Sequence, residues 1–98
     1  MRVKILDAAE KDIEEGYHFY ERKSSGLGAY FLDSLYSDID SLAYFGVIHR
    51  TIFGLHRLLS KKFPFAVYYR IDNNEILVTA VLDCRRKPSW IKKKLMSS

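Results

Sequence analysis

Three runs rich in β-branched, aromatic and aliphatic residues crowd the second half of the sequence: Leu55–Ser60, Phe65–Ile71 and Ile76–Leu82. Between the last two stands Asp72-Asn73-Asn74, a tight hairpin turn, since Asn tolerates the positive φ such turns demand. Strands joined so closely pair antiparallel. Pro64 cannot donate a ladder hydrogen bond, so it belongs at a strand start or edge.

The first half has a different period. After a short β-prone stretch at Val3–Leu6, Asp7-Ala8-Ala9-Glu10 has the form of a capping box. Ala9, Ile13, Tyr17 and Tyr20 then recur at three- and four-residue steps, which predicts an amphipathic helix of roughly four turns. Ser24-Ser25-Gly26 interrupts it. A second helix follows from about Leu27, with Leu27, Phe31, Leu35, Ile39, Leu42 and Phe45 on one face and Gly46 at its end. So short a connection predicts an αα-hairpin. A final short segment, Ser89–Leu95, closes the chain with about one helical turn. The order is (β)ααβββ, an α+β fold with a helical hairpin packed on a small antiparallel sheet. At 98 residues, the span 1–98 makes a single domain.

Bulk properties exclude several classes. Hydrophobic residues make up 48% of the chain, too many for a disordered segment. No apolar run approaches the ~20 residues that span a bilayer, and the N-terminus carries no signal-peptide stretch. Cys84 is the only cysteine, which rules out an intrachain disulfide and points to a reducing, cytoplasmic setting. The formal charge of +4 is segregated. Residues 1–48 carry five Lys/Arg against nine Asp/Glu (−4), and residues 49–98 carry eleven against three (+8). A basic half suits a nucleic acid or an acidic protein partner, unless the charges scatter in space.

Neither metal chemistry nor a cofactor is indicated. His18, His49 and His56 show no ligand spacing, and Cys84 has no nearby His. Cys84 follows a buried strand, where thiols are mostly inert, although two adjacent arginines could activate it. Gly26-Leu27-Gly28 lacks the further residues of a phosphate loop and reads as turn freedom instead. The remaining candidates are cationic: Arg57, Lys61, Lys62, Arg70, Arg85, Arg86 and Lys87, with Trp90 close behind. Guanidinium groups bind phosphates bidentately and an aromatic ring stacks on bases, so these residues could form a target- or nucleic-acid-binding surface. The alternative is a set of solubilising charges around a core or edge tryptophan.

At this point the sequence resembles a known group. Asp-x-x-Glu early in the first helix, Tyr20-Glu21 near its end and Gly26-Leu27-Gly28-x-x-Phe31-Leu32 resemble the opening half of ParE-like toxins. Phe63-Pro64-Phe65-Ala66-Val67-Tyr68-Tyr69-Arg70-Ile71 resembles their Phe-Pro-Tyr-x-Ile-x-Tyr strand. Asp83-Cys84-Arg85-Arg86-Lys87-Pro88-x-Trp90 resembles their Arg-Arg-x-Pro-x-x-Trp-like end. The pieces cover nearly the whole chain in order and identify it as resembling the RelE/ParE superfamily.

That resemblance implies a growth-inhibiting toxin of a bacterial type II toxin–antitoxin, plasmid-stabilisation module. A cognate antitoxin would neutralise it, in a toxin–antitoxin hetero-oligomer, by covering an apolar groove. ParE-like members poison DNA gyrase; RelE-like members cut mRNA on the ribosome without a metal. In the RNA-cutting pattern a strand Arg falls on Ala66, two strand lysines on Arg57 and Leu59, and a late Arg on Arg85. The terminal Tyr has no clear counterpart, with Trp90 and Ile91 nearest, and Asp83 stands where a His is often found. The resemblance therefore leans to a non-catalytic, ParE-like toxin. The alternatives are a metal-independent endoribonuclease using Arg57, Arg70, Arg85 and Trp90, or an inert antitoxin-binding relative.

Overall fold

The structure is a computed structural model in which residues 1–97 are described, the side chain of Ile48 excepted. Strand β1 (Arg2–Ile5) leads into helix α1 (Asp7–Lys23), then α2 (Leu27–Asp40), a single turn α3 (Leu42–Phe45) and a 3₁₀ turn (Gly46–Ile48). Strands β2 (Thr51–Ile52), β3 (Leu55–Leu59), β4 (Phe65–Asp72) and β5 (Glu75–Asp83) follow, and helix α4 (Pro88–Met96) closes the chain. The sheet order is β1-β5-β4-β3-β2. The expected α+β architecture is present, with one refinement: β2 to β5 are antiparallel, but β1 lies parallel to β5, making the sheet mixed.

The helical hairpin covers one face of the sheet. Ala9, Ile13 and Tyr20 of α1 and Phe31, Leu35 and Ile39 of α2 bury against Phe65, Val67 and Tyr69 of β4 and Ile76, Val78 and Val81 of β5. On the opposite face α4 lays Leu95, Trp90 and Ile91 over Ala66, Tyr68, Ala80 and Leu82. The pairing of Tyr68 with Ala80 and Tyr69 with Val78 leaves Thr79 as an extra residue, a bulge that shifts which β5 side chains face the helices.

The short turns carry the left-handed backbone. Asn73 and Asn74 have φ of 50° and 62°, the two-residue hairpin expected between β4 and β5. Ser24 caps the first helix and Gly26, at φ 88°, is the N-cap of the second; the Glu21 carboxylate accepts N–H bonds from Gly26 (3.0 Å) and Gly28 (2.9 Å). This reach-back from α1 satisfies donors that a helix start leaves free. A Cβ at position 28 would come within 2.8 Å of the Tyr17 backbone oxygen, so the two helices approach closely at that glycine.

Four local expectations are corrected. The capping box does not form: Leu6 is the N-cap and Asp7 is already helical. The Leu6 N–H is used by the Val78 carbonyl (2.9 Å), so no free donor remains there for Glu10. The second helix breaks at Ser41, whose hydroxyl donates to the Asp38 carbonyl (2.6 Å), and beyond the break Phe45 turns outward, 56% exposed. Gly46 does not stop the helix but continues into the 3₁₀ turn. The closing segment is a nine-residue helix begun by Pro88, longer than the single turn expected. The β2–β3 hairpin, turning through Phe53 (φ 52°) and Gly54 (φ 81°), had no counterpart in the sequence reading.

Candidate functional site

The cationic residues separate into three places. Arg57, at the centre of β3, lies opposite Tyr68 of β4, and Arg70 follows two residues after Tyr68 on the same strand face. The Tyr68 ring is buried; burial pushes its hydroxyl above the ordinary phenol range, partly offset by the Arg57 guanidinium lying against it. Cys84 stands next to this pair. Burial raises its thiol as well, again offset by Arg57, so the side chain stays a neutral thiol at neutral pH.

The second group is at the β5–α4 corner. Asp83 accepts from Arg85 through Nε (3.0 Å) and Nη2 (2.8 Å), and from its backbone N–H (2.8 Å). These bonds hold the Asp83 carboxyl below the usual carboxylate range. Arg86 lies over the Trp90 ring, 4.5 Å from its centroid, and Lys94 approaches the same ring at 5.7 Å. Trp90 is half-buried against the α4-side core, so its ring is engaged by two cations rather than presented bare to a nucleobase.

Lys61 and Lys62 lie apart from both groups. They line a cleft against α2 with Tyr30, Ser34, Ser37 and Asp38; the Lys61 N–H donates to Asp38 Oδ2 (3.3 Å), and Lys62 Nζ sits over the Tyr30 ring at 5.1 Å.

Helix α1 reaches this corner from the other side. Tyr20 is buried in an aromatic cluster with Phe31, Phe63 and Phe65, and its hydroxyl ends beside Arg85 and Asp83 without hydrogen-bonding geometry to either. A cleft of about 480 Å³ opens between α1 and α4, walled by Asp12, Glu15, Phe19 and Arg22 on one side and Arg86, Trp90 and Lys94 on the other. Its floor is β5 at Val81, Leu82 and Asp83. The Val81 N–H donates into the cleft, to Asp12 Oδ2 at 3.0 Å. Burial raises the Asp12 carboxyl, an effect partly offset by this bond and by Lys94.

No protein-family model and no curated protein matches the sequence. Among solved structures, one described as the chromosomal ParDE TA system from P. aeruginosa contains a chain that superposes with a TM-score of 0.69. The match covers 83% of this chain and 92% of that chain, at 17% identity. The fold is ParDE-like.

Within this ParDE-like fold, the residues of the basic second half do not form one continuous surface. Two groups, Arg57 with Arg70 and Arg85 with Arg86 and Trp90, belong to the α4 side and its corner; the lysines belong to the helical hairpin. Sequence reasoning met Tyr20 and Asp83 only within the resembled motifs and assigned no site role to Tyr68, Tyr20, Asp12 or Asp83. Tyr68 was legible only as a strand aromatic. Asp12 was one of nine acidic residues on helical segments, and nothing local distinguishes it from Glu14 or Glu15.

Proposed function

We propose that this chain is the toxin of a toxin–antitoxin pair and that it acts by binding its target rather than by cutting RNA. The observation that carries the reading is the shared fold: a ParDE TA-system chain superposes on 83% of the molecule. DNA gyrase is the target to which the sequence resemblance points, with Arg85, Arg86 and α4 as the contact region.

Two features favour binding over catalysis. Ala66, where RNA-cutting relatives would carry an arginine, is fully buried under α4 and offers no cation. Arg85 is already paired bidentately with Asp83, so its charge is largely satisfied within the chain. Beyond α2, Tyr44 (82% exposed), Phe45 and Val47 offer an apolar surface that a cognate antitoxin would cover.

A specific observation supports a second reading, ribosome-dependent mRNA cleavage. Arg57 lies against the Tyr68 hydroxyl and Arg70 stands two residues further along the same strand face, an arrangement that puts two cations where a phosphate could be held and its charge stabilised. Expression of the chain in a bacterial host separates the readings. Filamentation with altered plasmid supercoiling is expected for a gyrase-directed toxin, and rapid translation arrest with cuts in codon register for the ribonuclease. Unimpaired growth would sink both.

A further inference from the structure

We propose that Asp83 is an internal substitute for an outside oxyanion at Arg85, and that the Tyr20 hydroxyl takes over Asp83 when Arg85 turns outward to that anion.

Tyr20 is 7% exposed, and its hydroxyl oxygen is buried without a hydrogen-bond partner. A buried polar group left unpaired is costly, and native structures retain few of them. Strand register fixes what lies near this one. Phe65 and Asp83 stand directly opposite each other on β4 and β5, so their side chains share a sheet face. Phe65 belongs to the core under the helical hairpin, and the Tyr20 ring lies 6.1 Å from the Phe65 ring. Asp83 therefore points to the face that α1 covers. Arg85, bound to Asp83, comes to the same place, and the Tyr20 hydroxyl feels both charges.

The two oxygens of Asp83 are unequally held. Oδ1 accepts from the Arg85 backbone N–H (2.8 Å) and from Nε (3.0 Å), whereas Oδ2 accepts from Nη2 alone (2.8 Å). When the guanidinium leaves, Oδ1 keeps its backbone bond and Oδ2 keeps nothing. The Asp83 side chain is only 23% exposed, so water restores little of that loss, while Arg85, at 56%, is free to turn into solvent. An ionised carboxylate only accepts, and a phenol O–H donates, so Tyr20 supplies the donor that Oδ2 then lacks. Opening the pair thus gives the orphan hydroxyl an acceptor and leaves both carboxylate oxygens bonded. Arg86, close enough to act on the Asp83 charge, adds a second cation beside the released guanidinium. Two guanidinium groups side by side match an oxyanion, which accepts several N–H bonds at once. That the anion belongs to a toxin's target rests on the proposed function; the exchange itself does not.

The test titrates inorganic phosphate into the full-length chain, isotope-labelled for NMR, near neutral pH and with ionic strength held constant by chloride. Phosphate is expected to shift the Arg85 Nε–H resonance saturably and to bring up a slowly exchanging hydroxyl proton at Tyr20. Tyr20→Phe keeps the ring in its aromatic cluster and removes only an unpaired hydroxyl, so it should melt no lower than the wild type. Its phosphate affinity should nevertheless fall about tenfold, the worth of one hydrogen bond to a charged group. Asp83→Asn should bind phosphate more tightly than the wild type, and adding Tyr20→Phe to it should change the affinity by less than about twofold. Equal phosphate affinity in the wild type and Tyr20→Phe overturns the proposal, as does the lack of any saturable Arg85 shift in both the wild type and Asp83→Asn. Phosphate binding that leaves the Arg85 Nε–H unmoved also overturns it, because the anion would then use the other edge of the guanidinium. So does a clearly lower Tm for Tyr20→Phe, which would show the hydroxyl already bonded in the closed pair. A toxic chain without the exchange refutes the exchange alone; the exchange in a chain that never inhibits growth refutes the toxin reading alone.

Discussion

Asp83 and Arg85, two residues apart at the end of β5, are joined by two side-chain hydrogen bonds and one backbone hydrogen bond, all between 2.8 and 3.0 Å. The arginine most closely matched to a functional residue of the resembled toxins therefore carries its counter-ion with it. Its reach toward any outside anion is tied to the charge state of one carboxylate.

Removing that carboxylate has a modest energetic consequence and a pH signature. Arg85 is more than half exposed, so Asp83→Asn should cost no more than about 1 kcal/mol, after solvent screening. In a chain of this size that is a fall of about 4–8 °C in Tm. Because the folded-state pKa of Asp83 is depressed, its contribution is fully present above the unfolded value of about 3.9 and is lost as pH falls through the folded one. Thermal melts of the two proteins should differ at pH 7 and converge at strongly acid pH.

Asp12 should behave in the opposite sense. Its folded-state pKa is raised, chiefly by burial, so the charged carboxylate costs stability at neutral pH and the cost disappears as pH falls through that raised value. Asp12→Asn keeps an acceptor for the Val81 N–H and should melt at or above the wild-type temperature at pH 7. Asp12→Ala, leaving that amide to the solvent, should melt below Asp12→Asn. A higher Tm for the alanine variant would show that the bond to Val81 contributes nothing.

Tyr69 is fully buried on β4, donates to the Gly46 carbonyl at 2.5 Å and stacks on His56. Tyr69→Phe leaves that carbonyl without its donor and should cost about 1–3 kcal/mol in denaturant titration. Burial also pushes the Tyr69 hydroxyl up to about 12. A phenol titrating later in the folded state than near 10 in the unfolded chain lends stability that is present below about pH 10 and lost as pH rises toward 12. Burial also raises Tyr20, Tyr36 and Tyr68, so ultraviolet titration of the native protein should show several tyrosines ionising late, with the step near pH 12 missing in Tyr69→Phe.

At Gly16 a Cβ would come within 2.7 Å of the Phe31 ring, which is fully buried. Gly16→Ala should destabilise by about 1–3 kcal/mol through overpacking, despite the better helix propensity of alanine. Adding Phe31→Leu should cost less in the Gly16→Ala background than alone, a non-additivity visible in a double-mutant cycle.

The two functional readings make separable demands on the arginines. Arg85→Ala with Arg86→Ala should abolish growth inhibition if the corner contacts the target, while the protein still melts cooperatively, at a Tm lowered as in Asp83→Asn by loss of the Asp83–Arg85 contact. Arg57→Ala with Arg70→Ala should matter only for RNA cleavage. Undiminished toxicity of the first pair would reduce the corner to solubilising charge.

Much of the fold was legible because it is written in local periods. The spacing of Ala9, Ile13 and Tyr20, and of Phe31, Leu35 and Ile39, matches the buried faces of α1 and α2. The Asn73-Asn74 turn fixed the β4–β5 hairpin. Illegible features depended on long-range contacts or on strain. Asp7 and Glu10 have capping-box spacing, but the strand pairing of Leu6 with Val78 takes the position first. Phe53 adopts a left-handed backbone that aromatic residues rarely take, so the β2–β3 turn gave no signal. The basic residues were identifiable as a set, but not their division among three places. Val81 and Asp12, which shape the cleft floor, meet across 69 positions of sequence.

The parallel pairing of β1 with β5 also imposes an order of events on a chain emerging from the ribosome. Among the described residues, β1, made first of the five strands of this sheet, has β5, made last, as its one neighbour, at residues 75–78. At about 5–20 residues per second, several seconds of synthesis separate the two. During that interval the helical hairpin has no sheet to cover, and its apolar face must wait exposed. Long-range closure of this sort slows folding and invites premature association. For such a chain, whatever shields those helices early would decide its yield before any native activity could matter.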